Sequence, residues 1–251
     1  MDLSNILKLN GEQFIRELLS YEQKRFDTQF MLGSVYEQIN TDFGIFPVNR
    51  TYPSYFAGDI LKPEGKYIFI GMNPGYSKIG NEAEQHHAEE VGYMEHNRNL
   101  FQYFKLQRSG LIPYYANIGG FLKRLYGIPK IDWDWYQENF INLEMIPYHS
   151  ANTNGLRINN PEHFRKTYFA ILLKFLEHLT PKRPVFILGF PTFESYLSQS
   201  HFTDIISFQK HDNFWTGRIA DRYGFVGLPF LTRIKGGKDG LVTSLSKYIH
   251  E

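Results

Sequence analysis

Apolar and polar positions along the chain alternate between two periods. Residues 11–30, GEQFIRELLSYEQKRFDTQF, set Phe14, Leu18 and Tyr21 on one stripe, which predicts an amphipathic helix. Residues 67–70, Tyr-Ile-Phe-Ile, form a short unbroken apolar run, the pattern of a strand buried on both faces. A second strand is expected within NFINLEMIPYHS, residues 139–150. A helix follows over NNPEHFRKTYFAILLKFLEHL, with Asn160 as N-cap, Pro161 in the first turn and Phe169, Leu172 and Leu176 on its apolar face. RPVFILGF (183–190) predicts a third strand closed by Gly189 and followed by a helix over PTFESYLSQS. GLPFLTRI (227–234) predicts a fourth, then the loop KGGKDG and a terminal helix LVTSLSKYIH. Residues 31–65 read as Pro- and aromatic-rich connecting structure, and 81–110 as polar and partly helical. IGGFLKRLYG reads as a short helix ending at Gly127.

Strands alternating with helices imply an α/β fold with a parallel sheet between helices, all four strand ends opening on one edge. No repeat or linker breaks the pattern. A single domain over residues 1–251 is expected, with 1–65 as a helical or irregular extension packed on it.

Composition narrows the function classes. Hydrophobic residues make up 42% of the 251 and charged residues 21%, a globular balance. The net charge of +1 means that any nucleic-acid contact must come from a local basic patch. The absence of cysteine excludes disulfides, a thiol nucleophile, zinc–thiolate sites and iron–sulfur clusters. The first residues, MDLSNILKLNGEQ, lack the basic flank and apolar core of a signal peptide, and no apolar run approaches membrane-spanning length. A cytoplasmic monomer without membrane contact is the expectation.

The first strand is left in an unusual way, through Gly-Met-Asn-Pro-Gly at 71–75. Two glycines around Asn-Pro let the chain turn sharply and bring its amides close to a ligand. Asn73 would then stand at the carboxyl edge of the sheet, where open α/β folds bind ligands. As a plain turn, G-x-N-P-G would arise in roughly one chain of this length in several hundred.

This order of strand, GMNPG, a second strand carrying Asn142, a third strand ending in Gly and a fourth with a basic loop resembles the uracil-DNA glycosylase superfamily. GMNPG is similar to the first motif of its single-strand-selective and mismatch-specific branches, and the resemblance covers roughly residues 65–250. It implies a three-layer α/β/α fold around a four-stranded parallel sheet. It also implies a monofunctional DNA glycosylase that flips a nucleotide and hydrolyses the bond from base to deoxyribose, with no metal and no organic cofactor. In such a reaction the sugar gains oxocarbenium character and the base leaves as an anion, so placement and electrostatics do most of the catalysis.

Carried onto this sequence, the resemblance gives Asn73 the task of orienting the water, with Gly71 and Met72 lining the base pocket. A Met72 amide is suited to pyrimidine O2. Asn142 would read the Watson–Crick edge, since an amide offers one donor side and one acceptor side. His149 would be an electrophile or a phosphate contact. For stacking, Tyr93, Phe101 and Phe104 are all eligible, with Phe101 preferred. The last motif differs: where the superfamily carries a His-Pro-Ser type segment, this chain has LTRIKGGKDG. Arg233 could replace the His as a cation near the departing base, while Lys235 and Lys238, spaced by Gly236 and Gly237, suit DNA phosphates. Where the uracil-restricted branch has a Tyr that blocks pyrimidine C5, this chain has Gly75 followed by Tyr76. Uracil or a C5-modified pyrimidine is therefore the expected substrate, extending to a hypermodified phage base and an antiviral role. QHHAEE (85–90) could suggest a metal, but no third ligand falls at a recognisable spacing, and a solvated helix face is the simpler reading. Two other functions fit the residues: a catalytically weak DNA-binding module of this fold, and a hydrolase of free nucleosides or nucleotides.

Overall fold

A computed structural model of the chain describes residues 2–29, 33–44, 52–72, 78–149, 157–197, 202–231 and 238–249. In chain order these form α1 (Leu3–Ile6), α2 (Gly11–Gln29), α3 (Ser34–Phe43), β1 (Phe56–Ala57) and β2 (Tyr67–Gly71). Next come α4 (Lys78–Val91), α5 (Tyr93–Arg98), α6 (Leu100–Gln107), α7 (Pro113–Tyr126), α8 (Trp133–Asn139) and β3 (Phe140–Glu144). α9 (Pro161–Phe164), a π-helical stretch (Arg165–Phe169) and α10 (Ala170–Leu179) run as one rod into β4 (Val185–Leu188) and α11 (Phe190–Leu197). β5 (Ile206–Lys210), β6 (Trp215–Ile219), β7 (Tyr223–Leu228) and α12 (Lys238–Ile249) complete the described chain. No helix among the described residues is long and apolar enough to cross a membrane.

The fold is mixed α/β, and its sheet differs from the expected four parallel strands. Seven strands run in the order β1-β3-β2-β4-β7-β6-β5. β4 pairs in parallel with β2, Phe186 facing Phe69, and with β7, Phe186 facing Val226. β5, β6 and β7 pair antiparallel, so the sheet is mixed. The four strands expected from the sequence nevertheless occupy consecutive places, β3-β2-β4-β7. The fourth begins earlier than expected, at Tyr223, and ends before Pro229, which has no N–H for a ladder.

Two compact units share the chain. The first comprises residues 1–64, 71–98 and 143–180. Its α2 buries Phe14, Ile15, Leu18 and Leu19, with Tyr21 at the margin of the stripe. Phe14 and Phe56 both meet Phe175 of α10 edge-on, with ring centroids 5.5 and 5.8 Å apart. The expected cap is present: Asn160 Oδ1 accepts the His163 amide at 3.0 Å, with Pro161 in the first turn. One position breaks the apolar rule, because Glu22 of α2 is 2% exposed. Its carboxylate accepts the Tyr55 hydroxyl at 3.0 Å and faces Arg25 at 3.4 Å, whose guanidinium also donates to Tyr148 and Gln38.

The second unit comprises residues 65–70, 99–142 and 181–251. Phe69 stacks on Phe186 at 4.8 Å and lies 5.3 Å from Phe140. α7 ends at Gly127 in the left-handed region (φ 66°), as the sequence predicts. The three-stranded antiparallel part is close-packed around glycine: a β-carbon on Gly227 would come within 2.6 Å of the Phe190 ring.

Candidate functional site

β2 is buried from Ile68 to Gly71, so the chain reaches the GMNPG stretch from inside the sheet. Gly71 packs against the movable end of a neighbouring side chain. A β-carbon there would lie 2.9 Å from both Cδ and Oε1 of Glu144, the last residue of β3. The next residues of both segments are tied together. Met145 N–H donates to the Gly71 carbonyl at 3.0 Å, and Ile146 N–H to the Met72 carbonyl at 2.9 Å. The Met72 side chain is 2% exposed and packs in the core. Gly71 and Met72 thus form a fixed platform within the first unit, with a carboxylate against it.

His149 also belongs to this unit and is buried. It lies near enough to His96 to act on it electrostatically. Burial first, then His87 and His149, bring the His96 imidazole down to about 3. His87 and His96 meet through their Nδ1 atoms at 2.8 Å, so with both rings neutral one must donate and the other accept. The expectation of a wholly solvated face over residues 85–90 therefore needs correcting. His86 and Glu90 are exposed and paired, but His87 turns inward and Gln85 Oε1 accepts the Tyr52 amide at 3.0 Å. Among the described residues no group of three His, Cys, Asp or Glu has the geometry to hold a metal ion.

In the second unit, Asn142 is 3% exposed on β3 and its Oδ1 accepts the Tyr114 hydroxyl at 3.0 Å. α7 supplies that partner, because Pro113 starts the helix and puts Tyr114 in its first turn. An amide buried and anchored in this way is held in place.

Phe101, preferred for stacking on a base, is fully buried instead. Tyr115, Trp133, Tyr136 and Phe140 surround it at centroid distances of 5.2 to 6.3 Å. Its work is to hold α6, α7, α8 and β3 together, and a ring occupied on all sides has no face to offer. Tyr93 and Phe104, the other two candidates, are buried as well. Lys238, expected in a loop, is the first residue of α12. Asn73, Gly75, Tyr76, Arg233, Lys235, Gly236 and Gly237 lie outside the described residues.

The sequence reading missed Glu144, Tyr114 and the His87–His96 pair. A signal existed for Glu144, since a strand's period of two gives it the same parity as Asn142. Tyr114 and His96 carried none, because their partners are 28 and 9 residues away. Neither the known family models nor the curated proteins give a match to this chain.

Proposed function

We propose that the chain is a monofunctional DNA glycosylase acting on uracil or a C5-modified pyrimidine, in a site opened by the GMNPG turn. The observation that carries the reading is Gly71. The motif leaves a buried strand at a buried glycine against which the Glu144 carboxylate packs. The strand order β3-β2-β4-β7, with β2, β4 and β7 parallel, supports a glycosylase-like α/β core to which the antiparallel β5 and β6 are added. The buried, hydrogen-bonded Asn142 supports recognition of a pyrimidine edge.

In this reading the nucleotide is flipped out of the stack and Asn73 holds a water beneath the sugar. The water oxygen bonds to C1′ as the C1′–N1 bond breaks, and the bonding pair leaves on the base, which then takes up a proton. Arg233 is assigned to the developing base anion, and Lys235 and Lys238 to phosphates.

The test is abasic-site formation on single- and double-stranded oligonucleotides carrying uracil, 5-substituted uracils and modified cytosines. Base release with an intact sugar–phosphate chain is expected from at least one pyrimidine. Retention of DNA without product would instead identify a binding module, and turnover of free nucleosides alone a nucleoside hydrolase.

A further inference from the structure

Asn142 is the one polar residue among the four buried positions of β3, Phe140 to Leu143. An apolar side chain would fill the place without the desolvation that a buried amide suffers. Its partner stands on another element. Pro113 opens α7, and the hydroxyl of half-buried Tyr114 in that first turn donates to Asn142 Oδ1 at 3.0 Å. Docking α7 on β3 does not need this bond. Tyr115 already docks it, with its ring edge-on to Phe140 at 6.2 Å and its carbonyl accepting the Tyr136 hydroxyl. The same anchors fix the turn from which Tyr114 reaches across.

A carboxamide has two orientations of nearly equal shape. Turning Asn142 half-way round its last bond exchanges Oδ1 and Nδ2, and the two orientations match different bases. With Oδ1 toward pyrimidine N3 and Nδ2 toward the C4 substituent, the amide pairs with the N3–H and O4 of uracil. Reversed, it pairs with N3 and the amino group of cytosine. An unanchored amide therefore reads both edges. The Tyr114 proton selects one of them. A flipped amide would turn its NH₂ toward the hydroxyl, and that bond survives only if the phenol gives its proton to another acceptor.

We infer that Tyr114 is a positioning residue: it holds Asn142 in one orientation and so restricts the site to one pyrimidine edge, the 4-keto edge of uracil and its C5 derivatives. The inference rests on the glycosylase reading, in which Asn142 meets the base. The keto edge is assigned from the leaving group. A uracil anion spreads its charge over two carbonyl oxygens and a cytosine anion over one, so uracil departs more readily.

Tyr114→Phe removes the hydroxyl and keeps the ring, which rests against Tyr115 at 5.0 Å. The test compares single-turnover release of uracil and cytosine, and of their 5-hydroxymethyl forms, from matched oligonucleotides. Wild type, Tyr114→Phe and Asn142→Ala are measured side by side. Inhibition by free uracil and free cytosine supplies the same ratio where one base is not released. Wild type is expected to favour the keto base. Tyr114→Phe should shrink that preference by about 10- to 100-fold, the discrimination a bidentate amide supplies, at a melting temperature near wild type. Asn142→Ala should lose the preference as well. An unchanged preference in either variant overturns the inference, and so does an equal loss on both bases that follows the melting temperature. A wild type that favours the amino base overturns it too. In each of these cases abasic sites form and the glycosylase reading stands; a wild type that makes none on any oligonucleotide overturns both.

Discussion

At the scale of single residues, the sharpest chemistry outside the proposed reaction centre belongs to His96. Its imidazole is held at about 3 by burial, with His87 and His149 adding to the effect. An unfolded chain protonates this residue near the ordinary histidine value of about 6.5. Between those two values the unfolded state binds the proton and the folded state does not, so stability falls as pH drops from about 6.5 toward 3. The largest slope one such group can give is about 1.4 kcal/mol per pH unit. His96→Leu should therefore flatten the stability–pH profile over that window, measured by denaturant unfolding at several pH values. Profiles that run parallel for wild type and mutant would contradict this role. Such a site is hard to read from sequence, because the coupling depends on which of nine histidines the fold buries together. The strands that end near Gly71 and carry Asn142 were legible, since each is a local apolar run. Tyr114 and the contact between Glu144 and Gly71 were not, because both depend on residues about 28 and 70 positions apart coming together as chain-distant partners.

At the scale of elements, periodicity located what was regular. Helices α2, α7 and α12 and strands β2 and β4 lie close to where the apolar pattern put them. β5 and β6 escaped because ISFQK and WTGRI are half-exposed and carry charge, so neither an apolar run nor a clean alternation marks them. α3 escaped because it lies in a stretch whose prolines and aromatics suggested only loop. The pattern also hid a charge inside α2. Burial drives the Glu22 carboxyl upward, while Arg25 and Tyr55 favour its ionised form. Burial works against the Arg25 charge, but Tyr148 and Glu22 together hold it above its usual range. Glu22→Gln should leave this guanidinium without its anion, and losing one member of a buried pair costs about 3–5 kcal/mol. Adding Arg25→Met should recover part of that loss, because the stranded charge goes with it. The denaturation midpoints of the single and double variants check the claim, and a double variant no better than the single would contradict it.

At the scale of the molecule, a net charge of +1 supplies no long-range attraction for a polyanion, so in the proposed glycosylase binding would depend on local contacts. The α/β character was legible because strands and helices alternate along most of the chain. The seven-stranded mixed sheet was not, because register among antiparallel neighbours depends on cross-strand packing that no short window contains. What binds the account together is the claim that a strand end built around Gly71 serves hydrolysis of a glycosidic bond. The most direct measurement is single-turnover base release by wild type and Asn73→Ala on the best oligonucleotide, with DNA affinity measured alongside. The account predicts a rate lower by about 10²-fold or more, a typical loss for one preorganised polar group, at nearly unchanged affinity. A wild-type rate in Asn73→Ala would make GMNPG only a turn and contradict the account.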